Sequence, residues 1–143
     1  MHQTPSRWGQ GLLQGLDSSS PFLDGCGSIK PKDMQKAFES NMRRVGAKYE
    51  LLAMTSQKAV EIYNKEIDLI LIDGNHHELG VSLDVELWLP RVKVGGYAIF
   101  HDYGSSGWPG VTKVVDRISK EEFSDEGKQQ TIIVKKRIHE QIF

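Results

Sequence analysis

The chain has 143 residues, 38% of them hydrophobic and 26% charged, and its formal net charge is -1. This length predicts a single domain over residues 1–143, and the near-neutral charge argues against a nucleic-acid partner. Its apolar runs fall short of the roughly 20 residues that span a bilayer and its N-terminus lacks the apolar core of a signal peptide, so we expect a cytoplasmic protein with no membrane partner.

The first part of the chain is predicted to be irregular. Residues 1–31 are punctuated by glycines and by a Ser-Ser-Ser-Pro run, which are typical of loops. Their cysteine, Cys26, is the only one in the sequence and therefore has no partner for an internal disulfide. A helix is predicted from Asp33 to Gly46, because apolar residues recur there at every fourth position.

Units of strand followed by helix are predicted next. YELLAM, residues 49–54, is predicted as a strand, and Ser56 can cap the helix after it. The apolar segments IDLILI and YAIFHD, residues 67–72 and 97–102, suit strands that are covered on both faces. Two parallel strands need a crossover of a dozen or more residues, so residues 77–89 are predicted as a helix with Leu79, Leu83 and Leu87 on one face.

The last part of the chain is predicted to hold a helix and a hairpin. Gly95-Gly96 reads as a turn that opens the YAIFHD strand, and Pro109 reads as the first residue of a helix. A short strand near Phe123, a polar loop through Asp125 and Gly127, and a strand at residues 131–135 form the hairpin. The order predicts an α/β fold, with a doubly wound, mostly parallel, Rossmann-like sheet that ends in an antiparallel hairpin.

Polar side chains follow each predicted strand, at the edge where such sheets bind ligands. They are Thr55 and Ser56, residues 73–77, and residues 101–103. Asp73 and Asp102 are suited to hold a hard divalent cation such as Mg²⁺. His76, His77 and His101 are candidates to accept a proton near neutral pH. The alternative is purely structural, because acids at strand ends often cap helices and paired histidines are often solvated.

The tetrapeptide GNHH, residues 74–77, allows a second comparison. Metallophosphoesterases carry a Gly-Asn-His motif, which makes a metal-dependent hydrolase an alternative function. Their other ligand motifs, an Asp-x-His upstream and a Gly-His-x-His downstream, are missing from this sequence. This alternative therefore depends on one motif out of several.

Two long stretches carry a more specific resemblance. They are IDLILIDGNHHELGVSLDVELWLPRVKVGGYAIFHDY and WPGVTKVVDR. From residue 28 onward the chain resembles the class I S-adenosylmethionine-dependent methyltransferases, particularly the branch with an Ile-Asp-Gly-Asp-His-Ser-Tyr type of motif. The resemblance implies a methyltransferase that uses S-adenosylmethionine, with or without Mg²⁺, to methylate oxygen or nitrogen of a small hydroxylated acceptor.

The resemblance also implies roles for individual residues. Asp73 matches the acid that faces the methyl donor and acceptor, and in metal-using relatives the acids that match Asp73 and Asp102 hold Mg²⁺. His76 is the candidate base, and His101 assists it or lines the pocket. Thr55, Ser56, Asp73 and Gly74 are the implied cofactor-binding residues. Tyr103 stands where catechol-type relatives carry an Asn ligand, and Asn75 replaces the second acid of the motif.

One part of the family pattern is missing. Relatives begin with a strand, a glycine-rich turn that holds the cofactor, a helix and a second strand, whereas Gly9, Gly11 and Gly15 follow no apolar strand. The sequence thus resembles an N-terminally truncated methyltransferase, whose sheet would expose unpaired edges. We therefore expect either a homodimer or a YELLAM strand that moves next to IDLILI. A non-catalytic binding or assembly module is the alternative function.

Overall fold

A computed structural model describes residues 31–140 of the chain. Residues 1–30, which make up most of the segment predicted to be irregular, and Cys26 among them, lie outside the described residues. The chain divides into two units, Met1–Thr55 and Ser56–Phe143, and each is described by itself. The single-domain assignment stays a prediction.

The first unit contains the predicted helix but not the predicted strand. Helix α1 spans Pro31–Arg44, and the Phe38 ring packs edge-on against Tyr49, with 5.2 Å between the centroids. Residues 49–54 form no strand, so the prediction from YELLAM is wrong. The Met54 N–H donates to the Leu52 carbonyl at 2.8 Å, a tight turn between residues two apart that interrupts an extended chain.

The second unit is a mixed sheet with three helices. The strands are β1 (Ile67–Ile72), β2 (Val92–Phe100), β3 (Phe123–Gln129) and β4 (Ile132–Arg137), and the helices are α2 (Ser56–Ile62), α3 (Glu78–Trp88) and α4 (Pro109–Val115). The strand order is β1-β2-β4-β3. β1 runs parallel to β2, whereas β4 is antiparallel to both β2 and β3. The predicted α/β, Rossmann-like sheet ending in an antiparallel hairpin is confirmed.

Among the described residues, no helix is both long and apolar enough to cross a membrane.

Helix α3 is confirmed, but it buries a different face from the predicted one. Its buried residues are Val81, Asp84 and Trp88, whereas Leu79 is 85% exposed. The apolar residues between 79 and 87 recur at every second position, so they are distributed over two sides of a helix and do not define its core face. The α3 face that is buried contains an acid, which apolar periodicity alone does not identify.

Two turns predicted from glycine lie inside strands. Gly95 has φ +85 within β2, and the register between β1 and β2 shifts at the same place, as in a β-bulge. Likewise, the polar loop predicted through Asp125 and Gly127 is part of β3, with another register shift between these two residues. A polar, exposed edge strand has the composition of a loop, so the sequence of this segment predicts a loop where the structure has a strand.

Candidate functional site

The ends of β1 and β2 meet at one edge of the sheet. Ile72 and Phe100 are paired as the last residues of the two parallel strands, and the His101 N–H donates to the Ile72 carbonyl at 3.2 Å. Asp73 and His101 therefore leave the sheet side by side. This is the edge at which parallel sheets of this kind bind ligands.

Four predicted site residues come together at this edge, and we call them the Asp/His cluster: Asp73, His76, His101 and Asp102. One donor atom from each side chain lies within 4.8 Å of the donor atoms of the other three. His76 Nε2 is 2.8 Å from Asp102 Oδ2 and 3.4 Å from Asp73 Oδ1. His101 Nδ1 is 2.9 Å and 3.4 Å from the same two oxygens. The cluster thus alternates imidazole nitrogen and carboxylate oxygen.

The two histidines differ in how their nitrogens are satisfied. His101 Nδ1 is hydrogen-bonded to Asp102 Oδ2. His76 Nε2 is buried and has no hydrogen bond in the described part of the chain. Its 2.8 Å separation from Asp102 Oδ2 is short enough for an ion pair, but the atoms are not aligned as a hydrogen bond requires. The cluster therefore contains a buried nitrogen that lies close to a carboxylate without an aligned hydrogen bond.

The backbone of Asp102 adopts an unusual conformation. Its φ is +61, in the left-handed region that residues other than glycine rarely adopt. The carboxylate that results is close to both histidines. Strained residues of this kind are concentrated at functional sites, where the surrounding structure maintains them.

The cluster also changes the acidity of His101. The hydrogen bond to Asp102 raises the pKa of the His101 imidazole, burial opposes this effect, and the charges of Asp73 and Asp102 add to it. In the metal-free chain, His101 is thus more fully protonated near neutral pH than an ordinary histidine. A protonated imidazole cannot accept a proton until it has released the one it holds.

The loop that carries His76 is shaped by its neighbours. Asn75 Oδ1 accepts a hydrogen bond from the His77 N–H at 2.9 Å, a local turn that asparagine favours. The Trp108 ring lies against the His76 ring, with 5.0 Å between the centroids. A side chain on Gly110 would approach the Glu78 backbone nitrogen to 2.7 Å. The start of α4 therefore packs directly on this loop.

A charged contact also joins this loop to α4. The Glu78 carboxylate accepts hydrogen bonds from Lys113 and Arg117, and these bonds lower its pKa, with Lys113 contributing most. Sequence reasoning missed the contribution of Trp108, Gly110 and Glu78 to the site. The WPG motif that precedes α4 was the available signal, but its contact with residues 76–78 depends on the tertiary structure.

Other predicted site residues lie outside the cluster. The Tyr103 hydroxyl donates to Asp116 Oδ1 at 2.8 Å, so it points to α4 and not to the four donor atoms. Ser56 donates its hydroxyl proton to the buried Asp84 at 2.7 Å. Thr55 belongs to the first unit, and Gly74 lies in the loop between Asp73 and His76. The cofactor-binding roles of Thr55, Ser56, Asp73 and Gly74 stay predictions.

Comparison with known families identifies the family to which the chain belongs. A family model described as a methyltransferase domain matches residues 9–103. An uncharacterized protein, R132, of Acanthamoeba polyphaga mimivirus is 36% identical over 63 residues, which cover 41% of this chain and 28% of the viral protein. The chain therefore spans less than a third of this curated relative.

Solved structures show the same fold at low sequence identity. The O-methyltransferase NovP has a TM-score of 0.61 and 18% identity, over 78% of this chain and 46% of NovP. A Streptococcus mutans protein, presented as a candidate methyltransferase and solved in complex with SAH, has a TM-score of 0.57 and 13% identity, over 78% of this chain and 73% of its own. At these identities the likeness concerns the fold alone.

Proposed function

The chain belongs to the methyltransferase-domain family, and from this premise we propose that it transfers a methyl group from S-adenosylmethionine to oxygen, or to nitrogen, of a small hydroxylated acceptor. The observation that supports the proposal is the Asp/His cluster at the carboxyl ends of β1 and β2. Among proteins with a similar fold, one is an O-methyltransferase and another was solved with SAH.

The predicted cofactor-binding residues differ in what they can offer. When bound, S-adenosylmethionine supplies a methyl group that its sulfonium already activates, so the protein contributes chiefly by positioning. The Asp73 side chain is 44% exposed and is accessible to donor and acceptor. Ser56 already donates its only hydroxyl proton to Asp84, so toward the cofactor its side chain would act as an acceptor. Thr55 and Gly74 complete the predicted set.

Methyl transfer to a hydroxyl releases one proton, which needs an acceptor. We assign this role in the metal-free chain to His76, the base that the resemblance implies, whose side chain is 23% exposed beside Asp73 and Asp102. The raised pKa of His101 favours its protonated form, which places a positive charge beside Asp102. Asp73 and Asp102 would hold the divalent cation that the sequence predicts as Mg²⁺, and such an ion favours the negative charge that develops on the acceptor oxygen.

A direct test is production of S-adenosylhomocysteine by the purified chain, with catechol and other small hydroxylated compounds as acceptors. We expect formation that depends on enzyme, donor and acceptor together. Absence of product with every acceptor in the panel would contradict methyl transfer to this class. Release of p-nitrophenol from p-nitrophenyl phosphate without any methyl donor, dependent on Mn²⁺ or Zn²⁺, would favour the hydrolase alternative.

A non-catalytic binding or assembly module is the second candidate. The observation that favours it comes from the sequence, where Gly9, Gly11 and Gly15 follow no apolar strand and so do not match the family's glycine-rich cofactor turn. A module of this kind would bind S-adenosylmethionine weakly or not at all. The affinity for the methyl donor therefore separates the two candidates.

We also propose that two copies of the chain associate through β1. This strand is the edge of the described sheet and pairs only with β2 there. Leu69 and Leu71 on its open face are 54% and 52% exposed. An uncovered strand edge with apolar side chains is a ready surface for association.

Light scattering coupled to size-exclusion chromatography measures this association. We expect a dimer that Leu71→Lys shifts toward the monomer, whereas Ile132→Lys, which places the same charge on an exposed residue of β4, leaves it unchanged. A strict monomer at high protein concentration would eliminate self-association.

A further inference from the structure

The composition of the Asp/His cluster differs from that of the magnesium site predicted from Asp73 and Asp102. The sequence predicts two carboxylates with water, which is the type of ligand set that Mg²⁺ prefers. In the structure, one ring nitrogen of His76 and one of His101 lie within 4.8 Å of a carboxylate oxygen of both acids. An ion placed among the four donor atoms would therefore have two imidazoles beside the two acids.

The distances in the cluster match those between donor atoms that share one ion. Donor atoms bound at about 2.1 Å are about 3.0 Å apart at a right angle and about 3.4 Å apart at a tetrahedral angle. The four nitrogen–oxygen separations are 2.8, 2.9, 3.4 and 3.4 Å. These four separations therefore fit donor atoms that share a single ion.

Ion pairing within the protein does not explain the whole cluster. It accounts for His101, whose Nδ1 is hydrogen-bonded to Asp102. It satisfies His76 less completely, because its buried Nε2 lies 2.8 Å from Asp102 Oδ2 without the alignment of a hydrogen bond in the described residues. A buried polar atom without an aligned hydrogen bond is unfavourable. A bound cation would satisfy this nitrogen lone pair while it neutralises the two carboxylates.

The ligand types indicate which cation this is. Imidazole nitrogen suits Zn²⁺ and the other late first-row metals, whereas Mg²⁺ prefers oxygen. We propose that Asp73, His76, His101 and Asp102 together bind one divalent first-row transition-metal ion in preference to Mg²⁺. The proposal does not depend on methyl transfer, since it follows from the four donor atoms alone.

Metal binding at the cluster limits the role of His76 in catalysis. His76 Nε2 cannot hold a metal ion and accept a proton at the same time. In the metal-bound chain, the proton of the acceptor must therefore pass to another group or to water. His76 is the base only when the metal is absent.

Calorimetric titration of the chelator-treated, tag-free chain with Zn²⁺, Mn²⁺ and Mg²⁺ tests the proposal without any turnover. Co²⁺ absorption and Mn²⁺ paramagnetic resonance report the ligand environment in parallel. We expect one ion per chain and an affinity for Zn²⁺ or Co²⁺ at least about 100-fold above that for Mg²⁺. His76→Ala and His101→Ala should each weaken Zn²⁺ and Co²⁺ binding by about 10-fold or more.

Two controls make the result specific. His139→Ala removes an exposed histidine at the end of the described chain, beyond β4, and should leave the affinity unchanged. Cys26→Ser should also leave it unchanged, which excludes binding by the thiol. Circular dichroism of each variant checks that it is folded, and the partly exposed His101 is the variant least expected to disturb packing.

The outcomes separate this proposal from the proposed function. Zn²⁺ binding without S-adenosylmethionine binding would support the metal site and contradict methyl transfer. S-adenosylmethionine binding by a chain that binds Mg²⁺ as tightly as Zn²⁺ would overturn the transition-metal site alone. Unchanged Zn²⁺ affinity in both histidine variants would overturn it as well.

Discussion

The Asp73→Ala variant is expected to lose methyl transfer by a factor of about 100 or more, a typical cost of removing a group that stabilises the charge of a transition state. Asp73 leaves the sheet beside His101 and supplies one of the four donor atoms of the Asp/His cluster. Its removal would weaken the metal site and leave the donor and the acceptor without a fixed carboxylate. The measurement is the rate of S-adenosylhomocysteine formation with the best acceptor of the panel.

Asp68→Ala is the matched control. Asp68 lies in β1, five residues before Asp73, and is exposed, and its carboxylate is paired with Lys93 and not with the cluster. Each variant removes one negative charge from this part of the chain, so a loss of activity in Asp73→Ala alone depends on the position of the acid and not on the net charge. Full activity in Asp73→Ala would remove Asp73 from the site.

The Gly110→Ala variant is expected to lose about 1–3 kcal/mol of unfolding free energy, the usual cost of forcing extra volume into a packed contact. The added methyl would lie 2.7 Å from the Glu78 backbone nitrogen and 3.2 Å from the His76 carbonyl oxygen. Both neighbours are backbone atoms, so they cannot rotate away. Alanine is otherwise the better helix former, and a loss of stability would therefore report this contact directly.

Urea unfolding measures the effect, and Gly107→Ala is its control. A methyl at Gly107 would meet only the Ser105 hydroxyl, at 3.7 Å, so we expect a change within about 0.5 kcal/mol. Gly110→Ala should also weaken metal binding, because its contact with the His76 carbonyl displaces that loop. An equal or higher stability in Gly110→Ala would show that the start of α4 does not fix the loop.

The sequence predicts the part of the fold that repeats a simple pattern. The strand Ile67–Ile72, the crossover helix Glu78–Trp88 and the helix that begins at Pro109 are found where the pattern places them. The strand is not covered on both faces as predicted, because Leu69 and Leu71 are exposed. The predictions fail where tertiary contacts determine the secondary structure. YELLAM has the composition of a strand but bends at Leu52, and the polar segment around Asp125 has the composition of a loop but pairs as an edge strand.

The sequence predicts which residues belong to the candidate site but not how they are arranged. The rule that parallel strands end at one edge brings Asp73 and Asp102 together. It does not show that His76 reaches the same point, because that depends on a loop held by Asn75 and by the start of α4. It also does not show that Tyr103 turns to Asp116. These are local loop contacts and tertiary contacts, which the spacing of strands and helices along the chain does not encode.

Calorimetric titration of the purified chain with S-adenosylmethionine, with and without added divalent metal, tests the central claim most directly. We predict binding in the micromolar range, one donor molecule per chain, that Asp73→Ala weakens and Asp68→Ala does not. Absence of detectable heat under every condition would contradict methyl transfer and would support a protein that retains the fold without the cofactor site.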